Sequence, residues 1–172
     1  MYKLKNSLAL KPTPQALAKV TDSTFQTANS IATESTFQTA DSITFLETRI
    51  PKYMTYEVEY TDEFEQWYVK LDEAEQDSID VMIELLEERG TNLRFPRTSD
   101  VKGSRHGNIR ELRVQHQGKP YRILYAFDPR RVAILLLGGN KTGNDRWYEE
   151  NVPKADKLYD ELLKELNDEG LI

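Results

Sequence analysis

Three strand-like runs follow one another so closely in the second half of the chain that they must become neighbours in one antiparallel sheet. The runs span residues 109–115, 121–127 and 132–137, with turns at Gln117-Gly118 and Asp128-Pro129. Connections of this length are too short for the crossover that parallel strands require. The third run, Val-Ala-Ile-Leu-Leu-Leu, is apolar without alternation, which predicts a central strand covered on both faces.

A shorter strand and two helices are predicted before these runs. Aromatic and aliphatic residues alternate with glutamates over residues 56–60, which indicates a half-buried strand. Asp62 with Glu65, and then Asp72 with Glu75, resemble capping boxes that open a short helix and a longer one. The apolar stripe and the stop of the longer helix are Ile79, Met82, Ile83, Leu86 and Gly90.

A final helix is predicted to start near Asn144 or Pro153 and to stop at Gly170. Its apolar residues are Ala155, Leu158, Tyr159, Leu162, Leu163 and Leu166. The resulting order, β-α-α-β-β-β-α, predicts an α+β fold with a mostly antiparallel sheet, two N-terminal helices and one C-terminal helix. We expect the helices to gather on one side of the sheet.

Residues 1–53 differ from the rest of the chain. Residues 23–31 (Ser-Thr-Phe-Gln-Thr-Ala-Asn-Ser-Ile) recur with one change at 35–43. Two such copies bury too little apolar surface to offset the entropy of ordering, and they are too few for a solenoid. We therefore expect a disordered or loosely helical extension over 1–53 and a folded domain over 54–172. Met54 stands directly before the first strand, which makes it a second candidate for the start of translation.

The chain contains no cysteine and only two histidines. The absence of cysteine excludes disulfides, thiol nucleophiles and thiolate metal sites, and two histidines argue against a histidine-based metal site. His106 and His116 are each a candidate general acid or base, or a solvated side chain. No apolar run approaches the ~20 residues needed to cross a bilayer. We expect a cytoplasmic protein without a membrane partner, a metal or a cofactor.

The net charge of −6 conceals a basic segment between two acidic ones. Residues 54–100 carry four Lys or Arg against fourteen Asp or Glu, whereas residues 101–146 carry ten basic side chains against three acidic ones. Residues 147–172 are again acidic. The basic segment fits a cleft that binds a polyanion, and it fits equally a solvated strand face.

Two arginines within the strand-like runs are candidates for phosphate chemistry. Cleavage of RNA without a metal needs help in deprotonating the 2′-hydroxyl, cations for the crowded phosphate and an acid for the leaving 5′-oxygen. Arg113 and Arg122 suit the second task, because a guanidinium holds two phosphate oxygens and keeps its charge. A tight turn at Gln117-Gly118 would bring the two side chains together. Arg122 could equally form an ion pair with the acidic helices.

Lys141 and Tyr148 flank the turn before the last helix. Gly138 and Gly139 would allow a phosphate to approach the backbone there, and a nearby helix start favours an anion. A tyrosine or lysine whose pKa is lowered by surrounding cations could serve as the base or the acid. Tyr148 could equally be a core aromatic.

These motifs together resemble the RelE/ParE superfamily of toxins, and most closely its HigB-like branch, which is also grouped with phage-derived Gp49-like proteins. The matching stretches are 54–64, 102–107 (Lys-Gly-Ser-Arg-His-Gly), 110–114 (Arg-Glu-Leu-Arg-Val), 121–128 (Tyr-Arg-Ile-Leu-Tyr-Ala-Phe-Asp) and 138–143 (Gly-Gly-Asn-Lys-Thr-Gly). The resemblance implies a microbial-RNase-like α+β fold and a type II toxin that cleaves mRNA on the ribosome without a metal. It also implies a cognate antitoxin, expected to be a helix-turn-helix protein from the adjacent gene.

The resemblance assigns roles residue by residue. Arg122 matches the strand arginine that contacts the scissile phosphate, and Arg113 and Lys141 match further basic positions. Tyr148 matches a tyrosine that some RelE members use, and His106 fits the histidine that HigB-like members tend to use. The other residues expected to contact RNA are Lys102, Arg105, Arg110, His116, Lys119 and Arg146.

Two other functions stay open. Glu111 stands where RelE members carry a basic residue, which is a departure from the nuclease pattern. ParE members share the fold but inhibit DNA gyrase by binding, and a catalytically degenerate relative would act as a binding module only. The presence of Arg113, Arg122, Lys141 and Tyr148 favours the nuclease.

Overall fold

The computed structural model of the protein describes residues 5–6 and 55–172. Its elements are β1 (Lys5–Asn6), β2 (Val58–Tyr60), α1 (Asp62–Tyr68), α2 (Glu73–Arg89), β3 (Thr98–Asp100), β4 (Ile109–His116), β5 (Lys119–Phe127), β6 (Ala133–Asn140) and α3 (Trp147–Asp168). Apart from the two residues of β1, the extension predicted over 1–53 lies outside the described residues, as does Met54. The predicted order is confirmed, with two short strands added, β1 at the beginning and β3 before β4.

The strands form one sheet in the order β1-β2-β6-β5-β4-β3. Every neighbouring pair is antiparallel except β2 and β6, which run parallel with Val58 opposite Ala133. The prediction of a mostly antiparallel sheet is confirmed. Turn lengths could not reveal the parallel pair, because two helices and three strands separate its two members in sequence.

The β4–β5 hairpin sets the positions of the two strand arginines. Gln117 and Gly118 both have positive φ angles, 46° and 80°, as a two-residue hairpin turn requires. The resulting register places Arg113 directly opposite Arg122. The predicted proximity of these two residues is therefore confirmed.

Helices cover both faces of the sheet. α1 and α2 pack on the face that carries Ile123 and Leu135, whereas α3 packs on the opposite face with Leu124 and Ile134. The expectation that all helices gather on one side was wrong. The central strand β6 is buried on both faces, as predicted, and each of its faces needs a cover of its own.

The termini of α2 follow the sequence signals. Asp72 accepts a hydrogen bond from the backbone of Glu75, and the Glu75 side chain accepts one from the backbone of Asp72, which confirms this capping box. Gly90 is the C-cap, also as predicted. The capping box predicted at Asp62 was wrong. The N-cap of α1 is Thr61, whose hydroxyl accepts a hydrogen bond from the third helical residue.

One further element differs from the sequence prediction, and another agrees with it. Glu59 in β2 is buried rather than exposed, because Arg130 donates a 2.8 Å hydrogen bond to its carboxylate. α3 starts at Trp147, close to Asn144, and continues through Pro153. Pro153 is the seventh residue of this helix and removes the hydrogen bond that a backbone N–H there would donate to the carbonyl of Glu149. Within residues 55–172, no helix combines the length and apolar character of a membrane span.

Candidate active site

Glu111 lies at the centre of a cluster of polar side chains on the α3 face of the sheet. This β4 residue is only 5% exposed. Its Oε1 accepts a 2.6 Å hydrogen bond from Ser99 Oγ in β3, and its Oε2 accepts a 2.6 Å hydrogen bond from Tyr148 Oη in α3. Side chains from two other elements therefore fix both oxygens of the Glu111 carboxylate.

Two arginines approach the same carboxylate. Arg122 Nε lies 3.6 Å from Glu111 Oε2, and Arg113 Nε lies 3.8 Å from Oε1. Arg122 is 8% exposed, and its Nη1 donates to the carbonyl of Tyr121. Its Nε is buried and has no hydrogen-bond partner within the described part of the chain. Because a buried unpaired donor costs free energy, an anion that reached Arg122 would gain the hydrogen bond that Nε lacks.

Lys141 and Tyr148 complete the cluster. The backbone N–H of Lys141 donates to the carbonyl of Pro120 at 2.8 Å, and Lys141 Nζ lies 5.4 Å from the centroid of the Tyr148 ring. This is the distance of a cation–π contact. Four of the five residues predicted to be catalytic therefore come together: Arg113, Arg122, Lys141 and Tyr148.

The pKa of Tyr148 is raised. Burial is the main cause and the hydrogen bond to the Glu111 carboxylate adds to it, while Arg122 acts in the opposite direction. The expectation that surrounding cations lower the pKa of a tyrosine here was wrong, because burial and this carboxylate together outweigh Arg122. A phenol with a raised pKa keeps its proton at neutral pH, so Tyr148 is suited to donate a proton rather than to accept one.

His106, the fifth residue predicted to be catalytic, lies outside the cluster. Its Nε2 is 2.7 Å from Asp160 Oδ1, and its ring packs edge-on against Tyr159. Asp160 follows Tyr148 in α3 by twelve residues, which is about 18 Å along a helix axis. The loop before β4 therefore holds His106 near the middle of α3, away from its first turn.

Gly138 and Gly139 make room for tryptophans. A Cβ on Gly138 would overlap the ring of Trp67, and a Cβ on Gly139 would lie 2.7 Å from Trp147 Nε1. One indole ring thus packs against each face of β6 at this point. The predicted approach of a phosphate to these two glycines was wrong, because the indole rings occupy that space.

Most of the other residues predicted to contact RNA have partners on the protein itself. Arg105 pairs with Asp156 and Asp160, Arg110 with Asp100, Lys119 with Glu75, Arg146 with Glu149, and His116 hydrogen-bonds Ser78. Lys102 is exposed in the loop after β3. Since ion pairs neutralise much of the basic segment, the region that could bind a polyanion narrows to the surroundings of Arg113 and Arg122, whose ion pairs with Glu111 are long, at 3.8 and 3.6 Å.

A groove of about 590 Å³ opens beside these two arginines, between α2 and the edge of β4. No sequence pattern pointed to the groove or to Ser99. Glu111 did carry a signal, because strand alternation places it on the same face as Arg113. No three His, Asp or Glu side chains within residues 55–172 converge as a metal site would require, so we assign no metal ligand there.

Comparison with known families gives a match over more than half of the chain. Residues 66–160 match the family described as phage derived protein Gp49-like (DUF891). The matched region begins in α1 and ends in α3. It therefore contains every residue of the cluster around Glu111.

Two proteins of Mycobacterium tuberculosis (strain ATCC 25618 / H37Rv) are similar to the chain. The candidate toxin HigB2 is 43% identical over 104 residues, which are 59% of this chain and 52% of HigB2. The candidate toxin HigB3 is 45% identical over 100 residues, which are 58% of this chain and 86% of HigB3. The match thus spans about half the length of HigB2 and most of HigB3. No solved structure matches the chain.

Proposed function

The chain belongs to the family of phage-derived Gp49-like proteins, and from this membership we propose that it is the toxin of a type II toxin–antitoxin pair, an endoribonuclease that cleaves mRNA on the ribosome. The names of HigB2 and HigB3 support the proposal that the chain is a toxin. One observation supports the proposed nuclease activity most directly. Arg113 and Arg122 lie opposite each other on neighbouring strands, beside the carboxylate of Glu111 and the phenol of Tyr148.

The cluster offers each group that cleavage of RNA without a metal requires. The Glu111 carboxylate takes the proton of the 2′-hydroxyl, whose oxygen then attacks the adjacent phosphorus. Arg113 and Arg122 stabilise the negative charge on the phosphate oxygens. Tyr148 donates its proton to the leaving 5′-oxygen, and the cation of Lys141 over its ring stabilises the phenolate that forms. The products are a 2′,3′-cyclic phosphate and a 5′-hydroxyl.

The Nε atoms of the two arginines are held only loosely by Glu111. Their Nε atoms lie 3.6 and 3.8 Å from the oxygens of Glu111, which is beyond ordinary hydrogen-bond distance. A substrate phosphate therefore competes only with loose ion pairs at the two Nε atoms, while the hydrogen bond from Arg122 Nη1 to the Tyr121 carbonyl holds the Arg122 guanidinium in place. The substrate in this proposal is mRNA on the ribosome, and the inhibiting partner is an antitoxin, sought first in the adjacent gene.

Expression of the full chain in cells tests the proposal. Wild type, Arg122→Ala and the exposed control Arg89→Ala are induced, and mRNA ends are mapped on isolated ribosomes. We expect growth arrest and new mRNA ends with wild type and Arg89→Ala, and neither with Arg122→Ala. Thermal unfolding of the purified variants shows whether Arg122→Ala still folds. Arg122→Lys keeps the charge without the planar fork, and we expect it to restore only part of the activity.

Toxicity without new mRNA ends would refute the nuclease. If that toxicity also survived in Arg122→Ala, a supercoiling assay with purified DNA gyrase would then test inhibition by binding alone. Full activity of a folded Arg122→Ala variant would likewise refute the role given to the arginine pair.

A further inference from the structure

The groove beside the arginines shares Arg113 and Arg122 with the cluster around Glu111 and adds residues that the proposed reaction does not use. One wall comes from α2, and the other comes from the segment before β3. The residues that define it are Ser78, Val81, Phe95, Arg97, Arg113 and Arg122. Its volume of about 590 Å³ is within the range of about 300–1,000 Å³ that is typical of ligand sites.

The charged side chains that line the groove are all basic, although α2 is an acidic helix. Its lining contains three arginines, Arg97, Arg113 and Arg122, and no carboxylate. The α2 residues that face it are Ser78, Val81 and Met82, none of which is charged. A concave surface with this charge attracts an anion and repels a cation.

Phe95 adds an aromatic surface to the groove. Its side chain is 73% exposed, and the guanidinium carbon of Arg113 lies 5.5 Å from the centroid of its ring. On the other wall Val81 is 62% exposed. These two side chains contribute little to the core, so their exposure suits contact with a ligand. Proteins hold single-stranded RNA with this combination of a stacking ring and nearby arginines.

We propose that the groove binds a nucleotide of single-stranded RNA that neighbours the cleaved bond, with its base stacked on Phe95 and its phosphate against Arg97. The proposal rests on the nuclease function proposed above and adds where the substrate lies. Arg113 and Arg122 line the groove and also face Glu111. A nucleotide in the groove would therefore lie next to the proposed site of cleavage, which is why RNA is favoured over an acidic peptide.

Binding of a short RNA to the full chain tests the subsite. The probe is a fluorescein-labelled six-nucleotide RNA with 2′-O-methyl groups, which lacks the nucleophile and cannot be cleaved. Fluorescence anisotropy is measured with wild type, Phe95→Ala, Phe95→Trp and Val69→Ala. Val69 is a matched control, since it is 63% exposed and lies outside the groove. We expect Phe95→Ala to bind about tenfold more weakly, the size of one lost base stack, and the other two variants to bind as wild type does.

A second probe isolates the stacking itself. The same oligonucleotide is prepared without bases, and wild type and Phe95→Ala should then bind it equally. The absence of saturable binding by wild type, or a Phe95→Ala affinity within about twofold of wild type, overturns the subsite. So does a Phe95→Ala variant that binds RNA normally but loses a co-expressed antitoxin, because the groove would then dock a protein.

The experiments can refute the proposed subsite and the proposed nuclease activity independently of each other. If wild type cleaves mRNA at the same rate and the same places as Phe95→Ala, the subsite is refuted and the nuclease stands. If the oligonucleotide binds through Phe95 but no mRNA is cut on ribosomes, the nuclease is refuted and an RNA-binding groove stands.

Discussion

Tyr148 Oη donates a 2.6 Å hydrogen bond to Oε2 of Glu111 and so ties the first turn of α3 to β4. Ser99 holds the other oxygen of the same carboxylate at 2.6 Å. The candidate base and the candidate acid of the proposed reaction are thus in direct contact before any substrate arrives. Their positions are coupled, and a change in one should disturb the other.

Replacing Glu111 by glutamine should abolish most cleavage while the fold is kept. Glutamine retains an acceptor for Tyr148, but it cannot take the proton of the 2′-hydroxyl. The expected loss in the rate of mRNA cleavage is at least about a hundredfold, the lower range for general base catalysis. The assay is ribosome-dependent cleavage by purified protein, with Glu149→Gln as the control, since Glu149 is exposed and follows Tyr148 in sequence. A Glu111→Gln variant that cleaves at the wild-type rate would remove Glu111 from the mechanism.

Glu75 should make the stability of the protein depend on acid pH. Hydrogen bonds from Lys119 and from Tyr121 lower the pKa of the Glu75 carboxyl from 4.5 to about 2. A lowered folded-state pKa gives stability that is present above the unfolded pKa and is lost as the pH falls towards about 2. Between these values wild type should lose more free energy of unfolding than Glu75→Gln does. Urea unfolding at a series of pH values measures this, with the exposed Glu73→Gln as the matched control.

Equal pH dependence of wild type and Glu75→Gln would contradict this assignment. The substitution suits the test, because glutamine can still form the capping box with Asp72. A loss of helix in α2 is therefore not expected to confuse the result, and circular dichroism at neutral pH checks it.

Adding a methyl group at Gly138 should destabilise the fold. The Cβ would overlap the ring of Trp67, so the indole or the strand must shift. Overpacking of this kind costs about 1–3 kcal/mol. Gly107→Ala is the control, since its Cβ meets nothing within 4 Å. Urea unfolding of both variants gives the free energies, and equal stabilities would show that Trp67 moves aside freely.

Replacing His106 by glutamine should leave mRNA cleavage close to the wild-type rate. The imidazole contacts Asp160 rather than the cluster around Glu111. The hydrogen bond from His106 is the largest cause of the lowered pKa of Asp160, with Arg105 next. The pKa of Asp160 should therefore rise towards its ordinary value in the variant, as NMR titration of the carboxyl carbon would show. A loss of cleavage of about a hundredfold would instead place His106 in catalysis.

Much of the fold could be predicted because local sequence patterns determine it. The two-residue turn at Gln117-Gly118 alone fixed the β4–β5 pairing and the register of Arg113 with Arg122. The spacing of apolar residues and the Asp72 cap determined the buried face and the start of α2. In these cases the residues that interact are close in sequence, so short-range stereochemistry determines the outcome.

Arrangements that join distant segments were decided only by tertiary structure. The parallel pairing of β2 with β6 and the placement of helices on both faces follow from how the whole chain buries its apolar surface. The same packing places tryptophans where Gly138 and Gly139 suggested a phosphate, and His106 beside Asp160.

The candidate site shows most clearly which features the sequence determines and which need the tertiary structure. From the sequence alone, the residue types, their places in strands and beside the glycine turn, and the family resemblance selected Arg113, Arg122, Lys141 and Tyr148, but Glu111 looked like a departure from the pattern. The folded chain makes Glu111 the residue that the arginines and the tyrosine share. No local pattern encodes a contact between side chains 37 residues apart, because such a contact exists only once β4 and α3 have packed together.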